Sequence, residues 1–147
     1  MASGDEAMGL LTTAAGARPR VAIVGGSSSG MLVATVLIEQ FGCAPVNAAT
    51  GEAVLALLRA EENIDLVVMD LSVRDMDGIV AVQLIRALGA RGTLPVVALT
   101  SDRAAMAAPR ARAAGFAGSV AKPYSPRELY AAMRSALGRP ATATVTA

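Results

Sequence analysis

The sequence predicts an α/β domain: a five-stranded, all-parallel, doubly wound sheet with helices on both faces. Three observations predict it. An apolar run followed by a helical stretch recurs with a period of roughly two dozen residues, the mark of stacked strand and helix units. Three of the runs are rich in Val, Ile and Leu without alternation, as strands buried on both faces should be. The chain, 147 residues and 54% hydrophobic, is long enough to bury the core of one such domain.

The elements follow in order. Residues 1–19 read as a flexible N-terminal arm: Asp5 and Glu6 stand where a secretory signal needs positive charge, and the apolar patch at Leu10 and Leu11 is short. The domain proper spans 20–138. The first strand covers 20–25 and runs into "GGSSSG", from which a helix over 28–40 departs. Strands over 45–49, 65–69, 94–99 and 117–121 alternate with helices over 52–62, 79–88, 104–114 and 126–137. Pro109 removes a backbone donor inside 104–114 and should kink that helix or reset its start. The last helix opens on S-P-R-E: Ser125 caps, Pro126 suits the first helical position and Glu128 completes a capping box. Its Leu129, Met133, Ala136 and Leu137 share one face. Met31 and Met133 read as core filling, since thioethers pack irregular gaps. Residues 139–147, small and without helical period, read as a flexible tail.

Composition excludes several function classes. Thirteen Lys and Arg against twelve Asp and Glu give a formal charge of +1, too little to hold a polyanion, so no nucleic-acid partner is expected. Cys43 is the only cysteine and there is no histidine, which rules out an internal disulfide, a Cys/His zinc cluster and an imidazole base. A lone thiol suits a reducing, cytoplasmic setting. No window supplies the ~18 uninterrupted apolar residues of a membrane span, so no membrane association is expected. Arg127, Arg134 and Arg139, with Arg103, Arg110 and Arg112, mark a solvated face or a basic rim on the fourth and last helices.

A doubly wound sheet gathers functional groups at the carboxyl ends of its strands, beside the topological switch point. The first strand ends at Gly25, Gly26 and Ser27, the third at Asp70, the fourth at Thr100 and Ser101, and the fifth at Lys122 and Pro123. A carboxylate, a hydroxyl and an ammonium therefore converge. Phosphoryl transfer needs such a set, a nucleophile with donors and a cation to hold charge on the moving oxygens.

These strand ends resemble the receiver domains of two-component response regulators. "DLVVMDLSVRDMDG" looks like the strand and loop bearing that family's phosphoacceptor, here Asp70, with Asp77-Gly78 opening the third helix. "PVVALTS" is similar to the fourth strand with its switch hydroxyl, Thr100, and "GFAGSVAKPY" to the fifth with its Lys-Pro, Lys122 and Pro123, a bond usually cis in the family. The resemblance implies a flavodoxin-like (βα)5 fold and a signalling role rather than an enzymatic one. It implies that Asp70 takes a phosphoryl group from a histidine of a partner kinase or phosphotransfer protein, that Lys122 pairs with it, and that Thr100 moves to bind it. The face made by the fourth helix, fifth strand and last helix would be a contact surface, including for a homodimer.

Four departures bear on that implication. The family's adjacent acidic pair, which holds Mg²⁺, is replaced by Gly25 and Gly26. Arg74 stands where a proline is usual, Ser101 where a small residue follows the switch hydroxyl, and Ser119 where an aromatic switch residue is expected. One carboxylate and one lysine leave the site near neutral, and Mg²⁺ usually needs one or two carboxylates in good octahedral geometry, so no cofactor is expected and Mg²⁺ binding should be weak or lost. Without the ion an anionic donor meets Asp70 with Lys122 alone to offset repulsion, worth about 4 kcal/mol at ~4 Å and an effective dielectric of 20. The expectation is a pseudo-receiver signalling by protein contacts, with a working phosphoacceptor at Asp70 as the alternative. A further alternative is phosphate or nucleotide binding at 25–30, with Ser27, Ser28 and Ser101 as candidate anion contacts. The loop lacks the P-loop lysine, Met31 following Gly30, and the middle glycine of G-x-G-x-x-G, which is Ser27.

Overall fold

The three uninterrupted apolar runs become the middle of the sheet. In the computed structural model, which describes residues 9–25, 28–61 and 63–138, β1 (Arg20–Val24), β3 (Leu66–Asp70) and β4 (Val96–Thr100) are buried almost throughout. The less apolar β2 (Ala44–Ala48) and β5 (Gly118–Ala121) form the edges. The order is β2-β1-β3-β4-β5, with every pair parallel. The chain leaves β1 for β2 on one side and returns to β3 on the other, so the switch point lies between β1 and β3.

Alternation along the strands divides the core into two layers. Val21, Ile23, Leu66 and Val68 pack with Ile38 of α1 (Ser28–Gln40) and with Leu129 and Met133 of α6 (Pro126–Leu137). Ala22, Val24, Val67 and Met69 face the other way, against α2 (Gly51–Ala60), α3 (Gly78–Arg86) and α5 (Pro109–Ala114). Among the described residues no helix is long and apolar enough to cross a membrane.

Pro109 resets the helix predicted over 104–114. α4 (Arg103–Ala107) stops at Ala108, whose extended ψ of 146° is the conformation a residue before proline prefers, and α5 begins with Pro109 in its first turn. α5 closes on Gly115 at φ 75°, a left-handed cap. α3 stops two residues short of the predicted 79–88, and a 3-10 turn over Gly89–Thr93 follows it.

The N-terminal stretch corrects the expectation of a flexible arm. From Gly9 onward it is docked on the domain: Leu11 is buried in the α1 and α6 layer, and its N–H donates to the Phe41 carbonyl at 2.8 Å. The Tyr130 hydroxyl donates to the Gly9 carbonyl at 2.8 Å, while its ring meets Phe41 edge to face at 5.2 Å. The arm carries a residue whose burial offsets the cost of ordering it. Residues 1–8 and 139–147 lie outside the described residues.

The capping box at α6 is formed in both directions: Glu128 N–H donates to Ser125 Oγ, and Ser125 N–H to Glu128 Oε1. Ser125→Ala is expected to lower stability by about 1 kcal/mol, read as an earlier urea midpoint.

Candidate functional site

Register brings the strand ends together. Val24 of β1 pairs with Met69 of β3, so the next step sets Gly25 level with Asp70; Asp70 pairs with Leu99, and Thr100 with Ala121, one residue before Lys122. Lys122 Nζ donates to Asp70 Oδ2 at 2.8 Å across the crevice, and the Lys122–Pro123 bond is cis.

The other Asp70 oxygen is also engaged. Asp70 Oδ1 accepts from the Ser72 N–H at 2.9 Å and from Ser72 Oγ at 2.6 Å, an Asx-type turn that the strand end makes locally. Burial is the largest influence on the Asp70 carboxyl and pushes its pKa up. The Lys122 and Ser72 hydrogen bonds together outweigh it, so the group sits below its ordinary value and is ionised at neutral pH. Burial, and then the Asp70 charge, raise the phenol pKa of nearby Tyr124.

Asp70, Ser72, Thr100, Ser101 and Lys122 line a cavity of about 370 Å³, joined by Asp77 and Arg110. Thr100 Oγ1 is committed to the loop after β4, accepting from the Asp102 N–H at 2.9 Å and donating to the Asp102 carbonyl at 3.1 Å. Ser101 is exposed at the rim, and Ser119 is exposed on β5 over a separate groove. Gly25 closes β1 and is buried; Gly26, Ser27 and the Ser28 side chain lie outside the described residues.

Ser72, Arg110 and Asp75 have roles here that sequence reasoning did not assign. Arg110, read from sequence as part of a solvated face or a basic rim, is exposed and pairs with Asp77, the N-cap of α3, at the edge of the cavity. That hydrogen bond, the largest influence on Asp77, lowers its pKa. Both partners are about half exposed, so the pair adds little to stability. Asp75 caps a different helix: its carboxylate accepts from the Glu52 and Gly51 N–H groups at 2.9 and 2.8 Å, tying the loop after Asp70 to the start of α2. Those bonds hold its carboxyl below the ordinary range. No neighbour of Asp75 in the sequence signals this contact, whose donor lies 24 residues away at Gly51.

A 2-1-3-4-5 parallel sheet with an aspartate, a hydroxyl and a lysine at adjoining strand ends defines a flavodoxin-like α/β domain with an ion pair at its strand ends. Residues 21–134 match the response regulator receiver domain family, and the chain belongs to it. It is 33% identical over 114 residues to the sensor protein GacS of Pseudomonas syringae pv. syringae; the match covers 76% of this chain and 12% of that protein's length. Among solved structures it is similar in fold to the chemotaxis protein CheY4 of Vibrio cholerae, at 22% identity and a TM-score of 0.75, covering 82% of this chain and 99% of that one. It is likewise similar to a CheY-like receiver domain from Methylobacillus flagellatus, at 22% identity and a TM-score of 0.73, covering 81% and 98%. The domain is thus a receiver of two-component signalling.

Proposed function

We propose that this domain is a pseudo-receiver, a module that passes a signal through protein contacts with Asp70 held in a closed ion pair. The observation that carries this is the engagement of both Asp70 oxygens: one accepts from Lys122 and the other from two Ser72 donors. The Mg²⁺ that the family uses meets a poor donor set. Gly25 offers no side-chain oxygen, and among the described residues no three His, Cys, Asp or Glu side chains cluster to hold a metal. The residues present do not fit the ion.

Surface features support signalling by contact. Leu32, Val33 and Val36 are exposed on α1, an apolar strip of the kind that partners cover. A groove of about 530 Å³ between α4, β5 and α6 is lined by Arg103, Met106, Ser119 and Glu128. With serine at 119 no ring is available to swing there, so any output through this face depends on a partner rather than on an aromatic switch. The partner is a histidine kinase, a phosphotransfer protein, another signalling protein or a second copy of the domain, in a cytoplasmic setting.

Incubation with acetyl phosphate, with and without Mg²⁺, separates this from a working phosphoacceptor. Intact mass is expected to stay unchanged in the wild type and in Asp70→Asn. A Mg²⁺-dependent gain of one phosphoryl group, lost in Asp70→Asn, would mean that Asp70 transfers phosphate. A rise in melting temperature with phosphate alone would instead support anion binding at the 25–30 loop.

A further inference from the structure

Gly25 lies beside Asp70 at the β1–β3 switch point, and the strand alternation that sends Val24 and Met69 into one layer turns position 25 toward the opposite layer, the side of α1. That space is taken. A Cβ built on Gly25 would lie 2.0 Å from Met31 Cγ, 2.6 Å from its Sδ and 3.1 Å from its Cβ. The clash reaches the root of the Met31 side chain, so moving the terminal methyl does not relieve it; χ1 must change. On a helix, χ1 of methionine is confined to two of its three wells, which leaves little choice. The thioether is also the wrong chemistry for a hard cation, since Mg²⁺ takes oxygen ligands and thioethers suit soft metals.

We propose that Met31 closes the cation side of the Asp70 crevice with apolar surface, so that a carboxylate returned at position 25, level with Asp70, binds Mg²⁺ well only when Met31 is made small as well. The proposal rests on reading the crevice as that of a receiver lacking its ion. It makes Met31 of α1 part of the site.

The test measures Mg²⁺ binding by calorimetry for the wild type, Gly25→Asp, and Gly25→Asp combined with Met31→Ala. The double variant is expected to bind roughly tenfold more tightly than the single, the scale on which neighbours of a metal site tune affinity. Equal binding by single and double, or no binding by the double, overturns the proposal. Should the acidic variants fail to fold, Gly25→Ala reads the same contact: its melting temperature is expected to fall below wild type, and adding Met31→Ala to recover part of the loss. An unchanged melting temperature in Gly25→Ala overturns the proposal. The pseudo-receiver reading fails on a different protein and readout, namely phosphoryl gain by the wild type.

Discussion

Arg86→Met is expected to lower folding stability by about 3 kcal/mol, because one half-buried guanidinium is replaced by a side chain that satisfies none of its partners. Arg86 donates to four backbone carbonyls: Nε to Ala114 at 3.0 Å, Nη1 to Gly92 at 2.9 Å and to Leu94 at 2.7 Å, and Nη2 to Gly115 at 2.8 Å. These carbonyls belong to the 3-10 turn, the entry to β4 and the end of α5, so a single residue fastens three segments that share no regular hydrogen bonding. Burial lowers the guanidinium pKa, yet arginine stays charged, and its fork geometry spans acceptors that one ammonium cannot. Arg86→Lys should therefore recover less than half of the loss. Urea unfolding is the measurement: the midpoint should fall with the slope unchanged. A loss under about 1 kcal/mol would show that water replaces the guanidinium at these carbonyls without much penalty.

The contrast between Arg86 and the strands explains what the sequence made legible. β1, β3 and β4 could be read because burial on both faces writes a continuous apolar run, a signal contained in five consecutive residues. The α6 start could be read because a capping box is a four-residue code. Arg86 could not, since its partners lie 6 to 29 residues away and carbonyls have no sequence identity. Leu11 was missed for a related reason: a two-leucine patch is too short to carry a period, and only the fold reveals the cleft that receives one of the two.

The site divides the same way. That Asp70, Thr100 and Lys122 come together was legible because each lies at a strand end, and a doubly wound sheet gathers strand ends along one edge. Met31 and Arg110 come from helix faces, and the approach of Met31 to Gly25 and of Arg110 to the crevice depends on how α1 and α5 pack. The glycine at position 25 could be read as a missing carboxylate. That a methionine fills the space could not, because it depends on which side of α1 faces the strand end.

Lys122→Met is expected to destabilise the domain by about 2 kcal/mol at neutral pH, more than Asp70→Asn does, because the two partners are buried unequally. The Asp70 side chain is 10% exposed and that of Lys122 31%, so removing the lysine strands a carboxylate, whereas removing the charge on Asp70 leaves an ammonium that can turn to water. The pH dependence distinguishes this from lost packing. In the wild type the Asp70 pKa lies below its ordinary 3.8, so its ionised form contributes stability that is fully present above that value and is lost as the pH falls through the lower folded value. Without Lys122, burial faces only the Ser72 hydrogen bonds, and the folded pKa should move upward. Protonation then relieves the variant while it weakens the wild type, so the stability gap between them should narrow on going from neutral pH to about pH 3. Urea unfolding across that range, with the Asp70 carboxyl followed by carbon NMR, measures both quantities. A gap that stays constant with pH would assign the lysine a packing role and remove the ion pair as the element that holds the crevice closed.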